Sequence, residues 1–134
     1  MTDSHDLVEL EGIPAAARDL WVKLVADPLI PVHQLFAEVR SYQQTIAKRA
    51  RDDEDIDPKL GKALVDASMR MLGTLKDDTP ETTRRLVQAA VRYFVIEDDA
   101  DSDLDSILGL DDDAEVINAV LARLGHKEWL VQVP

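Results

Sequence analysis

Six prolines divide this chain, and the apolar residues between them recur at helical spacing. That pairing leaves little choice of fold. Proline donates no amide hydrogen and keeps the preceding residue out of the helical region, so it opens a helix or lies beyond its end. From Pro14 to Ala26, Leu20, Trp21, Leu24 and Val25 share one helical face. The Asp27-Pro28 step ends that helix, and Pro31 starts a second as its first-turn residue. Val32, Leu35, Phe36, Val39, Tyr42, Ile46 and Ala50 form the stripe along it. A polar break from Arg51 to Asp55 follows. Asp57 and Pro58 read as the cap and first turn of a third helix reaching Leu75. Its inward face carries Leu60, Leu64, Val65, Ser68, Met71, Leu72 and Leu75. Lys76-Asp77-Asp78 is a turn. Thr79-Pro80-Glu81 then opens a fourth helix, with Leu86, Val87, Ala90, Val91, Phe94 and Val95 inward.

Past Val95 the pattern changes. From Glu97 to Glu115 there are ten acids and no base, and the remainder holds 17 acids against 15 bases. The formal charge of −12 is therefore local, one anionic segment on a nearly neutral body. A short helix over Ser102 to Leu108, stopped by Gly109, fits the middle of the segment. Asp112-Asp113-Ala114-Glu115 has the spacing of a capping box, with Asp111 or Asp112 as the cap. A last helix then carries Val116, Ile117, Val120, Leu121 and Leu124 and stops at Gly125. Trp129 to Val133 is extended in character and ends at Pro134. No alternating stretch is long enough to found a sheet. The expected fold is all-α: one compact domain of about five helices over 14–134, a mobile arm at 1–13, an acidic loop or short helix, and an extended C-terminal tail.

Several function classes lack their residues. There is no cysteine, hence no disulfide and no thiolate nucleophile or ligand. The five glycines are too scattered for a phosphate-cradling loop, and His5, His33 and His126 share no metal-ligand spacing. The start of the sequence has no basic region followed by an apolar core, and no apolar run reaches the ~18 residues of a membrane span. The expectation is a cytoplasmic protein. A surplus of acid argues against nucleic acid, which is bound through clustered Lys and Arg, and against an anionic membrane surface. Arg84, Arg85 and Arg92, on the helix entering the acidic segment, are candidate internal partners for Asp99 or Asp103.

Two chemistries can be written onto the acids. Asp101, Asp103 and Asp105 stand at offsets 1, 3 and 5 of a twelve-residue frame closed by Asp112, the oxygen spacing of a loop for Ca²⁺ or Mg²⁺. Ser106 takes the position where such a loop turns on glycine, and Asp112 that of its usual glutamate. Separately, Asp99 and Asp103, four apart, would share one helical face as paired carboxylates for acid/base work.

The run Tyr93-Phe94, Asp99, Asp103, Gly109, Asp112-Asp113-Ala114 and Val116 resembles the YkvA-like family, bacterial domains of unassigned function, without a gap over about Val87 to Leu124. The resemblance implies a helical domain and singles out Asp99, Asp103, Asp112 and Asp113 as the motif aspartates. The family's prolines correspond here to Glu97, Ser102 and Ser106, and its apolar positions to Asp98, Asp101 and Asp105. Those charges would cost several kcal/mol each in hydrocarbon, so the membrane-associated look of many relatives does not transfer.

The resulting expectation is a non-enzymatic interaction or regulatory module. Its acidic segment, 97–115, would meet a basic surface on a partner protein. The alternatives are a divalent-cation-binding domain using Asp101 to Asp112 and an enzyme with carboxylate chemistry. The tail from Trp129 to Val133 could also pair with a partner or swap between protomers of a homo-oligomer, against packing on its own core through Trp129 and Leu130.

Overall fold

Each proline-bounded stripe becomes a helix. The structure, a computed structural model, describes residues 10–52, 58–96 and 109–132. Helices α1 (Arg18–Ala26), α2 (Val32–Asp52), α3 (Pro58–Gly73), α4 (Glu81–Ile96) and α5 (Gly109–Leu124) form an all-α bundle. A 3₁₀ turn at Ala15–Ala17 leads into α1, so the helix expected from Pro14 takes its α form only at Arg18.

The bundle is built around α4, which packs against each of the other four helices. Its sequence explains that place. Leu86, Val87, Ala89, Ala90, Val91, Tyr93 and Phe94 are all buried, on more than one face, and the two alanines leave room for neighbours to approach. Around it α2 pairs with α3, α1 lies on α4, and α5 closes against α3 and α4. Tyr42 of α2 meets Phe94 edge-on, with ring centroids 5.0 Å apart. Gly61 lets α2 and α3 come together, since a Cβ there would stand 2.8 Å from Ile46 Cγ2.

Several helix ends differ from expectation by local bonding. Pro31 sits one residue before α2, where its carbonyl accepts from Gln34 and Leu35. Helix α3 stops at Gly73 rather than Leu75, because the Thr74 and Leu75 amides turn back to Met71 and Leu72 and the Thr74 hydroxyl donates to Met71 O. Pro58 is the first residue of α3 as expected; the cap proposed at Asp57 lies outside the described residues. The turn before α4 is held by Thr79, whose Oγ1 accepts from the Lys76 amide, and by Arg84, which donates to the carbonyls of Lys76 and Thr79.

The largest correction concerns α5. Gly109 was expected to stop a preceding helix; instead it begins α5, and the Asp112 to Glu115 box lies within that helix. Neither Asp111 nor Asp112 is therefore the cap. Acids in the opening turns face the positive end of the helix dipole and stabilise it from inside, so the spacing of a capping box also arises one turn further in. At its other end α5 stops at Gly125 as expected. The His126 amide donates to Leu121 O at 2.8 Å and the Gly125 amide to Ala122 O at 3.2 Å, with Gly125 at φ +85°. The arm expected to be mobile through residue 13 is packed over its described part: Leu10 and Ile13 lie against the core.

Candidate functional site

The motif aspartates divide between described and undescribed residues. Asp99, Asp101, Asp103 and Asp105, with the short helix expected at Ser102 to Leu108, lie outside the described residues. Asp112 and Asp113 lie in α5, Asp112 half-buried and Asp113 fully buried among α5 residues Ala114, Val116 and Ile117 of the core. Asp113 is engaged in a polar interaction rather than free, as a carboxylate in a core must be. Its place gives that motif aspartate an internal position, away from a surface reagent. Of the cation frame only Asp112 is described, and among the described residues no three His, Asp or Glu side chains gather as a metal site.

The arginines expected to reach the acidic segment have partners among the described residues. Arg84 holds the α3–α4 turn. Arg85 donates to Glu81 Oε2 at 2.9 Å and, across to α1, to the carbonyls of Val25 at 3.0 Å and Asp27 at 3.2 Å. Arg92 grips Glu38 of α2 with two bonds, the shorter 2.9 Å. That bond raises the pKa of Arg92 against the opposing effect of partial burial, so its guanidinium stays charged. Helical periodicity turns these side chains toward α1, α2 and the preceding turn; Asp99 and Asp103, the partners expected for them, lie outside the described residues.

Two polar residues that the sequence reading passed over do more for the geometry than the arginines. Gln88, 2% exposed in the middle of α4, accepts from the Ile30 amide through Oε1 and donates to Pro28 O through Nε2, both at 2.9 Å. Asn118 of α5 repeats the device on the segment after α5. Its Nδ2 donates to Val131 O at 2.9 Å and its Oδ1 accepts from the Val131 amide at 2.7 Å. A side-chain amide has one donor and one acceptor side by side and can pair with a backbone as a strand neighbour would. The available signal was a lone amide inside an apolar run, Val87-Gln88-Ala89 and Ile117-Asn118-Ala119.

Asn118 also changes the expected course of the tail. Of the tail expected to be extended from Trp129 to Val133, Trp129 instead closes a 3₁₀ turn, Lys127–Trp129, with His126 stacked on it at 4.2 Å between ring centroids. Val131, not Leu130, is the buried residue: it is 7% exposed, whereas Leu130 is 39% exposed and Trp129 half-buried. The bidentate clasp fixes which side chain points inward. Val133 and Pro134 lie outside the described residues. Beside this segment run two open grooves, one of about 670 Å³ against α3 and one of about 950 Å³ against α5.

Among the described residues no helix is long and apolar enough to cross a membrane. Comparison with protein-family models, curated proteins and solved structures gives no match to this chain.

Proposed function

We propose that this chain is a non-enzymatic helical interaction module whose acidic segment, 97–115, binds a basic surface on a partner protein. One observation carries the reading. Among the described residues, the three arginines of α4 that precede the segment bond to Lys76, Thr79, Val25, Asp27, Glu81 and Glu38. The stretch itself contains ten acids and no base. A charge of one sign this dense favours an outside cation as its partner, and two packed helices, α4 and α5, flank the stretch. A concentrated field of one sign speeds encounter with an oppositely charged patch and selects among partners. The YkvA-like resemblance and a cytoplasmic setting, without nucleic acid, belong to the same proposal.

The test is a titration of the full chain with a lysine- and arginine-rich helical peptide, read by calorimetry. Binding is expected at low salt, with affinity falling at least tenfold by about 0.5 M salt as screening shortens the field. Replacing Asp98, Asp99, Asp101, Asp103 and Asp105 by Asn is expected to abolish it. Affinity that is indifferent to salt, or retained by the five-fold variant, rejects the proposal. A saturable heat with Ca²⁺ or Mg²⁺ alone would favour the cation frame instead.

A further inference from the structure

We propose that the seam between α3 and α5 is a receptor for the 129–132 segment, and that it accepts this segment from a second copy of the chain as well as from its own. The occupant is identified by what is already seated there. Asn118 recognises Val131 only through backbone, donating to its carbonyl at 2.9 Å and accepting from its amide at 2.7 Å. Such bonds are indifferent to which chain supplies the strand. The Val131 side chain enters the core between the helices, while Trp129 lies half-covered and Leu130 is 39% exposed. The attachment is therefore one inserted side chain and one two-bond clasp.

The surroundings make exchange accessible. The segment forms a wall of both open grooves, flanked by Ala63 and Arg70 of α3 on one side and by Ala119 and Arg123 of α5 on the other. It can leave and return without separating helices. Its connection to α5 passes through Gly125 at φ +85° and the short 3₁₀ turn, a hinge whose backbone sets where the segment is aimed. Every contact made within one chain can be re-made between two. The intramolecular arrangement wins only by its effective concentration, on the order of millimolar for a short link. A link too short to reach turns the balance. This self-association is separate from the acidic segment and survives the loss of that proposal.

The experiment deletes Lys127 and Glu128 in the full chain, so that Val131 no longer reaches Asn118 of its own copy. Light scattering is expected to give twice the monomer mass, and adding Asn118→Leu is expected to restore the monomer. A deletion variant that stays monomeric, or a dimer that survives Asn118→Leu, overturns the proposal. If circular dichroism shows the deletion variant unfolded, the full-length Val131→Asp chain replaces it, titrated with a synthetic peptide of residues 126–134 and followed by the backbone amide NMR signals of Ala119 and Ala122. Saturable shifts are expected, at least tenfold weaker in the parent chain where its own segment competes, and absent when Asn118→Leu is added. No saturable shift at several millimolar peptide overturns the proposal equally.

Discussion

Gln88 and Asn118 each hold a connecting segment by its backbone, yet one holds a loop between two packed helices and the other a segment beyond α5. The chemistry is the same: one amide, one donated and one accepted bond, all four distances between 2.7 and 2.9 Å. The settings differ. Gln88 projects from the most enclosed helix of the bundle, and the 28–30 loop is fixed on one side by α1 and on the other by α2. Asn118 is half-buried, and among the described residues no helix follows Val131. An identical clasp is thus part of the global fold in the first place and a local fastening in the second. Whether a hydrogen bond supports the whole molecule depends on what else would have to move if it broke.

The sharpest way to break this comparison is to remove Gln88. Gln88→Leu keeps the volume near that of the amide but leaves the Ile30 amide and Pro28 carbonyl without the bonds they now make. A loss of ~2–4 kcal/mol in global stability is expected from two orphaned, part-buried groups. Urea denaturation should show it as a lower midpoint with an unchanged slope. A loss below about 0.5 kcal/mol would mean that the loop does not depend on its clasp.

Arg85→Ala comes next, at about 1–2 kcal/mol, because Arg85 donates to Val25 O and Asp27 O at the end of α1. Little of that comes from its ion pair, since Glu81 is 67% exposed and solvent screens it. Glu81→Gln should accordingly change the denaturation midpoint hardly at all. If Glu81→Gln costs as much as Arg85→Ala, the arginine acts through its charge rather than through the loop.

How far these roles could be read in the sequence follows from the kind of signal each leaves. Helices declare themselves through the period of Leu35, Val39, Tyr42 and Ile46, and through Pro31, Pro58 and Pro80, so all five helices were legible. The wide burial of α4 was only partly so: Ala89, Tyr93 and Gln88 fall off the stripe that names Leu86, Val87 and Val91, and their burial comes from neighbours on several sides. The Asp112 to Glu115 box marks the helix start one turn too late, since acids at a cap and acids inside a first turn share the same spacing. Long-range bonds leave no periodic trace. Gln88 lies 58 residues from Ile30, and Asn118 lies 13 from Val131. Nothing local to either amide states what it will hold.

Asn118→Ala tests the other half of the comparison. The expected global change is small, within about 1 kcal/mol, because the bundle loses only the fastening of a peripheral segment. The local change should be large. Amide exchange at Val131 should lose its protection, and the emission of Trp129 should shift toward that of a solvated indole, while Trp21, fully buried in α1, should remain unmoved. Replacing Trp129 by Phe in a parallel sample assigns the signal. Should Asn118→Ala lower the denaturation midpoint as far as Gln88→Leu does, the two clasps would be equivalent and the distinction between global and local fastening would fail.

The smallest expected effect isolates burial from clasping. Ser68 of α3 is fully buried like Gln88, but its Oγ has no hydrogen-bond partner among the described residues. A hydroxyl in a helix often bonds back to the carbonyl four residues earlier, and this one does not. Its desolvation is therefore not offset, and alanine is also the better helix former. Ser68→Ala should leave stability within about 0.5 kcal/mol of the parent or raise it. A neutral or stabilising outcome beside a costly Gln88→Leu would show that buried polarity contributes here only when it holds a backbone segment. A loss above about 1 kcal/mol would instead require a bonded Oγ, through an internal water or a neighbouring carbonyl, and Ser68 would become a third fastening point in the bundle.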